Sequence, residues 1–167
     1  MRVANRGKQF ETVFAEQWQQ QFPKKFFLRL YDTTNGYLGV ANPCDFLAMP
    51  HNLLFMIECK SHEGASIPFK ALPQYDRLLK YKDMENVRAG FLIWFLDKDV
   101  IIWVPIDVAE KVYESGRKSI PYDITEQDER AFIVPSVKKK VFFDTDYQYL
   151  VERSSNDIIS VFKNAGT

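Results

Sequence analysis

The segment Leu53-Leu54-Phe55-Met56-Ile57-Glu58-Cys59-Lys60 is an apolar run that ends on an acid and a base. In a strand, alternate side chains share a face, so Glu58 and Lys60 point together and Cys59 points the other way. Charges in an apolar strand are costly unless they are paired or bind a metal. The tripeptide alone is common, and a strand running out into solvent carries it equally well. Asp45 adds a second carboxylate. It follows Asn42-Pro43-Cys44, and a hairpin turning near His51 returns it beside Glu58 or Lys60. Adjacent carboxylates repel and raise each other's pKa. A divalent cation removes that penalty, and magnesium takes one or two carboxylates together with water and substrate phosphate. The lysine beside them can hold an attacking water or the charge of a transition state. Glu11 is a third carboxylate, at the edge of an apolar helical stripe. The helix dipole accounts for an early helical glutamate just as well.

The elements that must position these groups follow from periodicity. Phe10, Val13, Phe14, Trp18 and Phe22 recur at steps of three and four, which predicts a helix over 8–22, capped by Asn5 or Gly7 and ended by Pro23. A strand is expected over 26–31 and a turn over 32–36. The stretches 37–48 and 53–60 form a hairpin about the turn at 50–52, followed by a loop over 62–66. A helix over 73–84 starts at Pro73 and buries Leu72, Tyr75, Leu78 and Leu79. Strands follow over 90–96 and 100–104, joined by Asp97-Lys98-Asp99. A short helix over 107–113 is capped by Asp107 and stopped by Gly116. Residues 117–136 read as loop, 138–143 as an edge strand, and 157–162 as a last short helix. This mixture predicts an α/β or α+β class around a mixed central sheet.

Composition bounds the rest. The 167 residues are 46% apolar and 15% aromatic, which suits one domain over 1–167 with a real core. Lysine plus arginine number 22 and aspartate plus glutamate 22, so a uniformly basic coat is excluded and any nucleic-acid contact must be a local patch. Cys44 and Cys59 are too few for a disulfide scaffold and fit a reducing compartment. They also lack a histidine partner for thiol chemistry. Without an apolar run of membrane length or a signal-peptide core, a soluble cytoplasmic protein is expected. His51 and His62 do not have zinc-ligand spacing. Lys24, Lys25, Lys70, Lys80 and Lys82 flank the proposed site. Lys138-Lys139-Lys140 reads as a solvated strand edge or as a phosphate patch. Phe91, Trp94, Phe95 and Trp103 read as core. Tyr147 and Tyr149 read as packing or base-stacking residues, and Phe26-Phe27 as a buried strand or a dimer contact.

Asp45, followed after twelve intervening residues by Glu58-x-Lys60, resembles the Asp and (Asp/Glu)-x-Lys core of the restriction-endonuclease-like nucleases. Asn5-Arg6-Gly7-Lys8-Gln9-Phe10-Glu11 resembles the Asn-Arg-Gly-x-x-hydrophobic-Glu opening of the RecU family of Holliday-junction resolvases. Ile67-Pro68-Phe69-Lys70, with Gln74 downstream, is similar to that family's Phe-Pro-Leu-Lys and its helical Gln. These segments span about the first half of the chain in the family's order. The chain departs from the family in two places. Residues 23–43 are short where the family carries a long stalk, and Pro43-Cys44 stands where Thr or Ser is usual. A compact or phage-encoded relative fits that shortening.

The resemblance implies a restriction-endonuclease-like mixed sheet flanked by helices, and Mg²⁺-dependent (or Mn²⁺-dependent) cleavage of branched DNA by a homodimer. It implies metal ligation by Asp45, Glu58 and the Cys59 carbonyl. Lys60 would orient the attacking water, Glu11 would complete the acidic cluster, and Gln74 would position water or metal. Arg6 would contact DNA phosphate, with Lys24, Lys25 and Lys70 as further DNA contacts. An endonuclease of the same fold acting on duplex or damaged DNA, and a non-catalytic DNA- or protein-binding module, are the alternatives.

Overall fold

Phe10, Phe14, Trp18 and Phe22 form one stripe that must be covered, and a sheet covers it. The computed structural model describes residues 3–31 and 41–164. Helix α1 (Val3–Gln21) precedes strands β1 (Phe26–Arg29), β2 (Phe46–Met49), β3 (Leu54–His62) and β4 (Ser66–Pro68). A 3₁₀ turn (Phe69–Ala71) leads to α2 (Tyr75–Leu79), and then to β5 (Val87–Phe95), β6 (Val100–Pro105) and α3 (Ile106–Glu114). The remainder comprises β7 (Ser119–Pro121), α4 (Ile124–Gln127), β8 (Phe132–Ile133), β9 (Ser136–Lys138), β10 (Phe143–Thr145) and α5 (Tyr147–Asn164).

Six strands form the central sheet in the order β1-β2-β3-β5-β6-β8. The β3–β5 pair is parallel and every other pair in this sheet is antiparallel. The parallel pair is the inner one. Its strands are buried on both faces, as their near-continuous apolar sequences require. Alternation along them feeds two cores. Phe55, Ile57, Cys59 and Trp94 meet α1 and α5 on one side, while Met56, Phe91 and Ile93 meet α2 and α3 on the other. Two small ladders, β9–β10 and β4–β7, complete the structure.

Several expected boundaries move. Helix α1 begins at Val3, so Asn5 and Gly7 lie inside it rather than capping it. Gly7 lies on the face toward β3, where an added Cβ would sit 3.7 Å from Ser61 Oγ. Helix α2 stops at Leu79. Three-residue turns, such as Tyr81 N–H to the Leu78 carbonyl and Met84 N–H to the Tyr81 carbonyl, then carry the chain down to β5. Pro105, not Asp107, precedes α3, and Asp107 instead pairs with Arg130 at 2.5 Å. The expected loop over 117–136 contains β7, α4 and β8, elements too short to show periodicity. The expected strand over 138–143 is a hairpin, closed where Lys139 N–H bonds the Phe142 carbonyl at 2.8 Å. The last helix starts at Tyr147, ten residues before the expected 157, with Tyr147, Leu150, Val151 and Ser154 buried at helical spacing. The turn expected over 32–36 and the first four residues of the strand expected over 37–48 lie outside the described residues, and the strand itself is confined to β2.

Gly90 makes the centre of the sheet possible. A Cβ there would lie 2.5 Å from the Val104 carbonyl oxygen and 2.9 Å from the Trp103 ring. Backbone cannot yield as a flexible side chain can. Gly90→Ala is expected to cost about 1–3 kcal/mol through overpacking. Urea unfolding of the two proteins measures this as a lower midpoint.

Candidate functional site

The β2–β3 hairpin sets Phe46 opposite Ile57, and one step further along the register brings Asp45 opposite Glu58. Asp45 is fixed from both neighbouring strands. Its amide donates to the Ile57 carbonyl at 3.1 Å, and its carbonyl accepts from Leu30 N–H at 2.7 Å. Its Oδ2 accepts from the Cys59 amide at 2.8 Å. The two carboxylates are thus held side by side by backbone geometry.

Glu58 is 1% exposed and lies on the α2/α3 side of the sheet. Its Oε1 takes Lys60 Nζ at 2.8 Å. Its Oε2 is buried and, among the described residues, has no hydrogen-bond partner. Burial and the neighbouring Asp45 push the Glu58 carboxyl up to about 8, against the downward pull of Lys60. One lysine therefore does not offset two carboxylates in this setting. Burial and the same acids push the Cys44 thiol up to about 12 and raise Cys59 as well. Both cysteines stay neutral packing groups, with Cys44 Sγ 3.3 Å from the Phe46 carbonyl.

Glu11 lies close enough to raise the Glu58 pKa slightly, but its Oε2 is in an ion pair with Arg29 Nη2 at 2.6 Å. Arg29 also lies over the Phe46 ring, 5.6 Å from its centroid. It is a counter-ion that sequence reasoning missed, because the end of a four-residue strand has no distinguishing pattern. Gln74 precedes α2 on the Glu58 side of the sheet. Its Oε1 is also buried without a partner among the described residues, as is Gln9 Oε1 on α1. Gln9 was visible only as an unassigned position between Gly7 and Glu11. Among the described residues, no three His, Cys, Asp or Glu side chains form a ready-made metal cage. The donors that fit a hard cation are oxygens: two carboxylates and nearby backbone, with unpartnered acceptors at Glu58 and Gln74.

Asp45, Glu58 and Lys60 therefore come together, and Glu11 stands beside them tied to Arg29. Arg6 lies one residue from Gly7, which faces β3. Lys24 and Lys25 do not join the group. They follow the end of α1, roughly 15 Å along the helix from Glu11. Lys70, in the 3₁₀ turn, lines a separate cavity. Lys138 pairs with Asp99 at 2.6 Å on the surface. Tyr147 is buried as packing.

No family model matches the sequence, and no curated protein matches it. In three dimensions the chain is similar to Archaeoglobus fulgidus Hjc, a Holliday junction resolvase from an archaeal hyperthermophile. The TM-score is 0.53 and the identity 14%, and the match covers 72% of this chain and 93% of that one. The likeness is one of fold: a single mixed α/β unit similar to that of Hjc. In this chain Asp45 and Glu58 stand on a central mixed sheet flanked by helices.

The raised Glu58 pKa makes stability depend on pH. A carboxyl with a folded value near 8 and an ordinary value near 4.5 binds its proton more tightly when folded. Its contribution is complete below the ordinary value and is lost as pH rises through the folded value. Glu58→Gln keeps a neutral group throughout. In chelator, its melting temperature is expected to gain on the native protein as pH rises from about 4.5 to about 8. Thermal melts across that range measure the difference, and a constant offset would contradict it.

Proposed function

We propose that this chain is a metal-dependent endonuclease that cleaves phosphodiesters in branched DNA, a Holliday-junction resolvase of the RecU type working as a homodimer. The observation that carries the reading is the buried, unpartnered Glu58 Oε2 beside Asp45 and Lys60, on a fold similar to that of Hjc. Asp45, Glu58 and the Cys59 carbonyl would hold Mg²⁺, with Mn²⁺ as a substitute. When bound, the ion would lower the pKa of a water and neutralise charge developing on the phosphate.

The chain's own residues do the remainder. Asp45 is held in place by the Cys59 amide, so its carboxylate is oriented before substrate arrives. Lys60, at 2.8 Å from Glu58 and partly exposed, presents its ammonium to the attacking water or to phosphate oxygen. Gln74 offers an oxygen to a water proton. Glu11, buffered by Arg29, completes the acidic cluster. Arg6 and Lys70 contact phosphates nearby, and Lys24 and Lys25 contact a more distant arm of the DNA. The Asn5-Arg6-Gly7…Glu11 and Pro68-Phe69-Lys70…Gln74 segments favour the RecU type.

A four-way junction has two-fold symmetry, and paired cuts need two sites, which two copies of the chain supply. Edge strand β1 exposes Phe26, 53% accessible, as a contact for a second copy. A cytoplasmic location accords with work on DNA. Among the described residues, no helix is long and apolar enough to cross a membrane.

The test uses Mg²⁺ with a labelled four-way junction and a matched linear duplex. Paired symmetric nicks on the junction alone are expected. Asp45→Ala and Glu58→Ala abolish them, and Lys60→Ala slows them by about 10²–10³-fold. Equal cutting of both substrates would replace the resolvase with a duplex endonuclease. No cutting with Mg²⁺ or Mn²⁺ would leave a binding module.

A further inference from the structure

A cavity of about 660 Å³ opens between the 3₁₀ turn after β4 and the end of α3. Its wall carries Phe69, Tyr113, Lys70, Arg117 and Lys118, and no acidic side chain lines it. Tyr113 is 54% exposed, yet its ring is fixed from beneath. It meets Phe69 edge-on at 5.1 Å between centroids and Tyr75 at 5.3 Å. Phe69 and Tyr75 also meet each other at 5.3 Å. A ring held by two others with much of its surface in water is a stacking platform. Gly116, at φ +85°, turns the chain after α3, and nothing lies within 4 Å of where its Cβ would be, so that side stays open. The two walls are tied together: Pro68 pairs with Ser119, and Phe69 N–H bonds the Lys118 carbonyl at 3.0 Å.

The charges that line this cavity are all of one sign. Arg29, Lys60, Lys82, Arg130 and Lys138 each face a carboxylate. Among the described residues, Lys70, Arg117 and Lys118 have no ion pair, and Arg117 Nη1 donates to the neutral Gln127 Oε1 at 2.8 Å. In a chain of zero net charge, three cations without ion pairs among the described residues line one aromatic cavity, while Glu110, Asp76 and Glu114 act on Tyr75 behind it. Phosphates complement the cations, and an unpaired base complements the ring. A duplex backbone or an acidic peptide would satisfy the charges and leave Tyr113 unused.

We propose that this cavity docks a single DNA strand, with one base stacked on Tyr113 and the adjoining phosphates on Lys70, Arg117 and Lys118. The proposal rests on the reading of the chain as a DNA-acting protein and assigns a second contact for that substrate. Tyr75 directly follows Gln74, so the aromatic cluster adjoins a residue of the candidate site.

The test is binding of a short fluorescent oligothymidylate at fixed low salt in chelator, where no cleavage occurs. Tyr113→Ala is expected to weaken binding about ten-fold, and Tyr113→Phe to retain it. Lys118→Ala should weaken binding and flatten its salt dependence. Both positions are exposed, and thermal melts verify that the variants are folded. A duplex of equal length should compete poorly. Native binding by Tyr113→Ala, equal competition by duplex, or no oligothymidylate binding by the native protein would each overturn the proposal. A native protein that binds the strand but cuts no junction loses the nuclease reading alone, and one that cuts junctions without binding the strand loses this proposal alone.

Discussion

Two carboxylates held side by side against one lysine are the constraint on which the site depends. The hairpin register puts Asp45 opposite Glu58, and the Cys59 amide keeps it there. Burial then makes the pairing costly, because Glu58 cannot shed its charge into water. The protein alone has two means of relief, Lys60 on one oxygen and a proton on the other. A divalent cation would provide a third. Backbone hydrogen bonds to Asp45 from both neighbouring strands impose the arrangement.

The parallel β3–β5 pair explains how one strand serves both core and site. Its odd-numbered side chains Phe55, Ile57 and Cys59 bury against α1 and α5. On the other face Met56 continues into the α2/α3 core, and Glu58 and Lys60 take over as the strand approaches its end. The active-looking residues therefore occupy positions that would otherwise extend a hydrophobic row. Gly90, paired with Pro105, leaves the space that the Val104 carbonyl and the Trp103 ring occupy beside β5. Helix α1 adds Glu11 from the other side of the sheet, where it is paired with Arg29.

Much of this was legible in the residues. The α1 stripe, the hairpin, the two apolar strands and the mixed sheet follow from spacing, because long elements carry several periods of burial. Asp45, Glu58 and Lys60 were legible for the same reason: alternation in a strand and one turn fix their relative placement. The second half of the chain was not. Strands of two or three residues, such as β7 and β8, have no period to detect. Helix α5 buries Tyr147, Leu150, Val151 and Ser154 along a stripe diluted by charged and polar residues. Counter-ions such as Arg29, and the ring cluster of Phe69, Tyr75 and Tyr113, join residues far apart in sequence, so only the folded chain brings them together.

The central claim is that the hairpin carboxylates form one divalent-cation site. Calorimetric titration of Mn²⁺ into the native protein, Asp45→Ala and Glu58→Ala tests it most directly. The account predicts a single saturable site per chain in the native protein, lost in both variants while their thermal transitions remain cooperative. Saturable binding that survives both substitutions would place the ion elsewhere and contradict the account.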